Sequence, residues 1–96
     1  MTAFFVSTVT VKNGEKFQQY AELAASTFSA HGGEPVLRGK LEDVLTGNAD
    51  HHAVGIVKFP DAEALTAWYE SEAYQALIPL RDEAADMTLA SYSVPV

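Results

Sequence analysis

Positions 4 to 11, Phe-Phe-Val-Ser-Thr-Val-Thr-Val, are dense in β-branched and aromatic residues and run into Asn13-Gly14, a turn pair, which predicts a first strand. From Glu15 the period lengthens. Phe17, Tyr20, Ala21, Ala24, Phe28 and His31 recur at the spacing of one helical face, so a helix is expected to about Ala30. Gly32-Gly33 stops it, because glycine takes the left-handed conformation that closes the last carbonyls without a Cβ clash. Val36-Leu37-Arg38 and Leu41 to Leu45 read as one long second strand interrupted at Gly39, where a bulge or bend is expected. A turn at Gly47-Asn48-Ala49-Asp50 returns the chain into a third strand, Ala53 to Phe59, which Pro60 ends.

Asp61 can cap the next helix, with Glu63 in a first turn where the macrodipole favours negative charge, and Ala62, Leu65, Trp68 and Tyr69 point inward. A second helical stretch, Glu72 to Asp86, brings Tyr74, Leu77, Ile78, Arg81 and Ala85 together and is expected to kink at Pro79, which removes a backbone donor. Thr88 to Val94 forms the last strand, with Leu89, Ser91 and Ser93 on one face and Ala90, Tyr92 and Val94 on the other. The order β-α-β-β-α-β predicts an α+β, ferredoxin-like domain over residues 1–96, a four-stranded antiparallel sheet with both helices on one face. The opposite face keeps apolar and aromatic residues that no helix covers. The expected partner is therefore a second copy of the chain, packed through that helix-free face as a homodimer.

Composition sharpens this picture. A chain of 96 residues has room for one core and buries only about two-thirds of its unfolded surface, so a partner subunit adds usefully to its stability. Thirteen acidic residues against six basic ones give a net charge of −7, which repels nucleic-acid phosphates and anionic lipid surfaces. No apolar run approaches the roughly 20 residues that span a bilayer, and the N-terminus reads as a strand rather than an export signal. The absence of cysteine removes disulfides, thiolate nucleophiles and the usual structural zinc or iron–sulfur ligation, and fits the cytoplasm.

The segment Val57-Lys58-Phe59-Pro60-Asp61, with Trp68-Tyr69, Ser71-Glu72-Ala73-Tyr74-Gln75 and the later Leu80-Arg81, resembles the signature of domain-of-unknown-function family thirteen-thirty. That signature is a strand ending in Phe-Pro, a helix carrying Trp-Tyr, then Ser-x-x-Tyr-Gln and Leu-Arg. Phe17 to Tyr20, His31-Gly32-Gly33 and Val36 to Gly39 fall where the family has its aromatic helix, double glycine and Arg-Gly strand. The chain departs from it in Glu72-Ala73, where the family often has Pro-Glu, and in His51-His52, where it often has basic residues. The resemblance implies a subunit of the dimeric α/β-barrel superfamily. Its members include cofactor-free monooxygenases, isomerases, chlorite-dismutase-like haem proteins and proteins without a known reaction.

Several residues are candidates for chemistry. His31, at the end of helix one, sits where the dipole favours a charged imidazole, and reads either as a proton-transfer group or as a cap for the last carbonyls. Arg38 follows an apolar run, so it must either snorkel out to solvent or meet an anion, and its planar fork suits a carboxylate, whether from Asp43, a glutamate or a bound ligand. Arg81 has Glu72, Asp82 and Glu83 as ordinary partners. Trp68, Tyr69, Tyr74 and Tyr92 could line a pocket, though at helical spacing such residues are more often core. His51 and His52 are adjacent on extended chain and diverge, which disfavours a shared metal. No Glu-x-x-His helix, phosphate loop or nucleophile elbow occurs, so no metal, nucleotide or other cofactor is expected.

Three functional readings follow. The first is a homodimer binding a small organic molecule in a cleft between helices and sheet, with Arg38, His31 and Tyr74 as polar contacts and Trp68, Tyr69 and Arg81 around them. The second is a cofactor-independent enzyme of the same superfamily with His31 as general base. The third is a structural dimer domain without a ligand, expected if Phe and Trp side chains fill the cleft.

Overall fold

The computed structural model describes residues 1–95. Strand β1 (Ala3–Val11) is followed by helix α1 (Gly14–Phe28), a 3₁₀ turn (Ser29–His31), β2 (Glu34–Lys40), β3 (Ala53–Phe59), three short helices and β4 (Ala85–Ser93). The short helices are α2 (Ala62–Glu70), α3 (Glu72–Gln75) and α4 (Ile78–Ala84). The strands form one antiparallel sheet in the order β2-β3-β1-β4, the expected ferredoxin-like topology.

Local chemistry accounts for most boundaries. Asn13 Oδ1 accepts from Lys16 N at 3.1 Å and starts α1, and Asp61 Oδ1 accepts from Ala64 N at 2.8 Å and starts α2. Gly32, at φ +75°, ends the 3₁₀ turn, and its N–H donates to the Ser29 carbonyl. Gly33 is needed for a different reason: a Cβ there would lie 2.7 Å from the Phe59 ring.

The structure corrects four expectations. Residues 41–45 do not extend β2: its paired residues end at Lys40, opposite Ala53, the first residue of β3, and one further backbone bond, Leu41 N–H to the His52 carbonyl at 2.6 Å, closes the ladder. The register irregularity falls between Pro35 and Leu37 rather than at Gly39. Pro79 does not kink a long helix; it lies in the first turn of α4, where its missing N–H costs nothing, and residues 76–77 separate that helix from α3. The chain turns into β4 at Ala85, earlier than Thr88, since Val11 already has Ala85 as its strand partner.

Aromatic rings dominate the core. Trp68, 1% exposed, stacks on Phe5 at a ring separation of 5.0 Å and meets Phe28, Phe59 and Tyr74, while its indole N–H donates to Thr27 Oγ1 at 2.7 Å. A polar clamp joins the helices: the Tyr20 and Tyr74 hydroxyls are 2.7 Å apart, and Arg81 Nη1 donates to Tyr74 at 3.1 Å. This clamp links α1 to α3 and α4. Accordingly α1 packs chiefly against α4 and touches the sheet only sparsely.

Gly33→Ala is expected to cost about 1–3 kcal/mol through overpacking against Phe59, whereas Gly39→Ala, whose Cβ meets open space, should stay within about 0.5 kcal/mol of the parent in urea denaturation. The clamp gives a pH signature. Burial, then the Tyr74 hydroxyl, raises the Tyr20 phenol above its ordinary value of 10.0, so the folded state keeps a proton that the unfolded chain releases. The resulting stability is complete below pH 10 and is lost as pH rises above it. Tyr20→Phe should cost about 1 kcal/mol at pH 7, and the gap to the parent should narrow above pH 10 by up to about 1.4 kcal/mol per pH unit. Urea midpoints at pH 8 and 11 check this, and a gap independent of pH would contradict it.

Candidate functional site

Cross-strand partners share a face of a sheet, so the register fixes what faces the helices. Ser7 lies opposite Gly55 and Leu89, and Val9 opposite Ala53 and Met87; both are buried on the inner, helix-bearing face. In β2, Pro35 pairs with Val57 but Leu37 pairs with Ile56, so one extra residue, Val36, is accommodated between them. Because side chains alternate with period two, that residue reverses everything after it. Arg38 falls opposite Gly55 and Lys40 opposite Ala53, both in inner-face rows, and Leu37 goes to the outer face. An unbroken register would have sent Arg38 and Lys40 outward.

The inner face and α1 enclose a cleft of about 840 Å³. It exists because both walls are built from small residues. Ser7, Ala53 and Gly55 form the floor, and Ala21, Ala24 and Ala25 face them from α1. The floor is close-fitting as well as low, since a Cβ on Gly55 would lie 3.0 Å from Ser7 Oγ. Larger apolar side chains, among them Phe17, Phe28, Val57 and Met87, complete the lining. Ser7, buried and polar, has its hydroxyl satisfied by the Gly55 carbonyl at 3.3 Å.

Among the described residues the ionisable groups that line the cleft are Tyr20, Arg38 and Lys40. Tyr20 stays neutral, for the reasons given above. A guanidinium only donates hydrogen bonds, so Arg81 donates to the Tyr74 hydroxyl, which also shares a hydrogen bond with the Tyr20 hydroxyl. Burial disfavours the charge of Arg81, but the Tyr69 and Tyr74 hydroxyls outweigh that and hold its pKa above the ordinary value.

Of the residues singled out in the sequence, Arg38 lines the cleft. Trp68 and Tyr74 lie in the core, and the Tyr74 hydroxyl is already engaged by Tyr20 and Arg81. Tyr69 is half-buried, its ring 5.3 Å from that of Tyr74, and Arg81 also reaches Asp82 Oδ1 at 3.3 Å. His31 is half-buried on the 3₁₀ turn, outside the cleft lining. The structure thus gathers Trp68, Tyr69, Tyr74 and Arg81 into one helix-side cluster and leaves Arg38 and His31 apart from it. The cleft adds Tyr20, Lys40 and Ser7, which sequence reasoning did not select. The available signal was Pro35: a proline in a strand points to an edge strand or a bulge, and the bulge decides which residues face inward. No three His, Asp or Glu side chains converge among the described residues, and His51 is 3.5 Å from Asp50 alone.

Solved structures share this architecture. The RPA0582 protein of unknown function from Rhodopseudomonas palustris superposes with a TM-score of 0.82 at 20% identity, over 99% of this chain and 83% of that one. SnoaB, a cofactor-independent oxygenase from Streptomyces nogalater, gives 0.72 at 16% identity, over 99% and 94%. A DABB family protein with a ferredoxin-like fold from Mesorhizobium loti gives 0.67 at 18% identity, over 99% and 97%. At these identities the likeness establishes the ferredoxin-like fold alone. No curated protein matches the chain in sequence. The profile described as "Domain of unknown function (DUF1330)" matches residues 2–92, nearly the whole chain, and the protein belongs to that family.

Proposed function

We propose that the protein binds a small organic molecule in the cleft between α1 and the sheet, as a homodimer packed through the helix-free sheet face. The observation that carries the first half is the cleft itself. Its volume lies within the usual 300–1,000 Å³ range of small-molecule sites, its walls are largely apolar, and a few polar groups converge on it. Trp68 and Phe59 pack beside the cleft without filling it, which favours a ligand over a purely structural role.

The second half rests on the outer sheet face. Phe4 stacks on Tyr92 at 5.3 Å, and the adjoining rows carry Val6, Ile56 and Ala90, with Leu37 69% exposed at the edge. A second sheet would cover this band. A ferredoxin-like protein of unknown function from Thermobifida fusca, similar in fold to this chain, is dimeric.

The likeness to SnoaB favours a second reading, a cofactor-independent enzyme with His31 as general base. It is the weaker one, because the cleft lining holds no histidine or carboxylate among the described residues, and a base must reach the proton it removes.

N-Phenyl-1-naphthylamine, a neutral fluorescent aromatic, should bind saturably at one site per subunit. Ala21→Trp, which fills the helix wall of the cleft, should weaken it by about tenfold or more while the melting temperature is retained. Binding indifferent to Ala21→Trp would refute the cleft. In light scattering the parent should have twice the 10.4 kDa chain mass, and Ile56→Glu on the outer face should halve it. A parent that is monomeric, or a dimer indifferent to Ile56→Glu, would refute the interface.

A further inference from the structure

We propose that the ligand of this cleft is an amphipathic organic acid: an apolar, ring-sized body between α1 and the sheet, with its anionic group at the β2 edge between Arg38 and Lys40. This deepens the binding reading above and rests on it.

Of the six basic residues, Lys12, Lys16, Lys58 and Arg81 each have a carboxylate oxygen within 3.0–3.5 Å. The two that remain are Arg38 and Lys40, which have no carboxylate within 4 Å among the described residues, and these two line the cleft. In a chain with thirteen acidic residues, Glu42 and Asp43 among them just beyond β2, cations without a partner are unexpected. Their exposure at the mouth of an apolar cavity places positive charge where a ligand would enter.

Arg38 and Lys40 are two residues apart on one strand, so they share a face and stand roughly 6.5 Å apart along it, close enough to bracket one acid group. They face inward only because Val36 is accommodated as an extra residue. Gly55, opposite Arg38, carries no side chain to obstruct the guanidinium. Against low-dielectric walls of Phe28, Val57 and Met87, the attraction of such a pair for an anion exceeds its value in open water. A planar guanidinium fork also matches a carboxylate or sulfonate in two parallel bonds.

The opposite end of the cleft carries no charge among the described residues. Tyr20 lines the cleft on α1 as a neutral phenol whose hydroxyl is bonded to that of Tyr74, so the positive charge of the cleft is confined to the β2 edge. Among the described residues no acidic group lines the space between Tyr20 and that edge. A cationic ligand would find no partner there, and a small inorganic anion would leave the apolar walls unused.

The test uses two probes with one carbon skeleton: 8-anilinonaphthalene-1-sulfonate, which is anionic, and N-phenyl-1-naphthylamine, which lacks the sulfonate. The sulfonate should bind the parent protein about tenfold more tightly, weaken as salt rises, and resist displacement by inorganic phosphate. Arg38→Met with Lys40→Met, both exposed positions, should cost the sulfonate about tenfold and change the neutral probe by less than about twofold, and Arg38→Lys should keep part of the preference. Equal affinity of the two probes for the parent, or equal loss of both in the double variant, would overturn the acid assignment while leaving the cleft intact. Failure of both probes to bind, or binding of both unaffected by Ala21→Trp, would overturn the binding reading and this assignment with it. Melting curves for each variant separate lost recognition from lost folding.

Discussion

Everything of functional interest depends on α1 being held away from the sheet. Near its C-terminal end, Phe28 packs into a ring cluster with Phe5, Phe59 and Trp68, and those side chains are too large for the helix to approach the strands. One helical face earlier, Tyr20 is tied by its hydroxyl to Tyr74 and through it to Arg81, so the lateral position of α1 is set by the other helices. Between these supports the helix presents alanines to a floor of serine, alanine and glycine, which cannot close the gap. The cleft is thus a consequence of large rings at one end and small residues in the middle. Interiors ordinarily reach close packing, so an opening of this size in a small domain marks a place where packing energy has been forgone.

A second constraint decides the chemistry of that opening. The bulge at Val36 changes no residue type, yet it reverses the facing of the rest of β2. Leu37 passes to the outer face, where it extends the apolar band, and Arg38 and Lys40 pass to the inner one. The same local irregularity therefore contributes to both surfaces. Pro35 fits this arrangement, because β2 is an edge strand and a proline there leaves no central ladder bond unmade.

Much of the fold was legible because its signals were redundant. In β1 and β3, β-branched composition and flanking turn residues agreed; for α1 the one-face spacing agreed with a double-glycine stop, and for α2 a capping aspartate stood at the start of the helix. Where a single signal stood alone it misled. Leu41, Val44 and Leu45 look like strand residues, but a strand needs a partner, and partner availability is a property of the whole sheet. Pro79 can break a helix or begin one, and which it does here depends on the turn after α3. For the site, Arg38 was legible as an isolated cation after an apolar run. Trp68 and Tyr74 were not separable from core residues by spacing, since an aromatic on a helix face reads the same whether a ring or a ligand lies opposite. Lys40 and Tyr20 needed the register and the helix stand-off, which are tertiary facts.

Met87 gives the most direct test of where ligands bind. It lies in the sheet row that carries Lys40, Ala53 and Val9 and lines the cleft, whereas Met1 is exposed at the N-terminus. With methyl-¹³C methionine, titration of the protein with 8-anilinonaphthalene-1-sulfonate should shift the Met87 methyl resonance saturably, with the dissociation constant seen by fluorescence. Saturable fluorescence with an unmoved Met87 resonance would place the probe elsewhere and contradict the account.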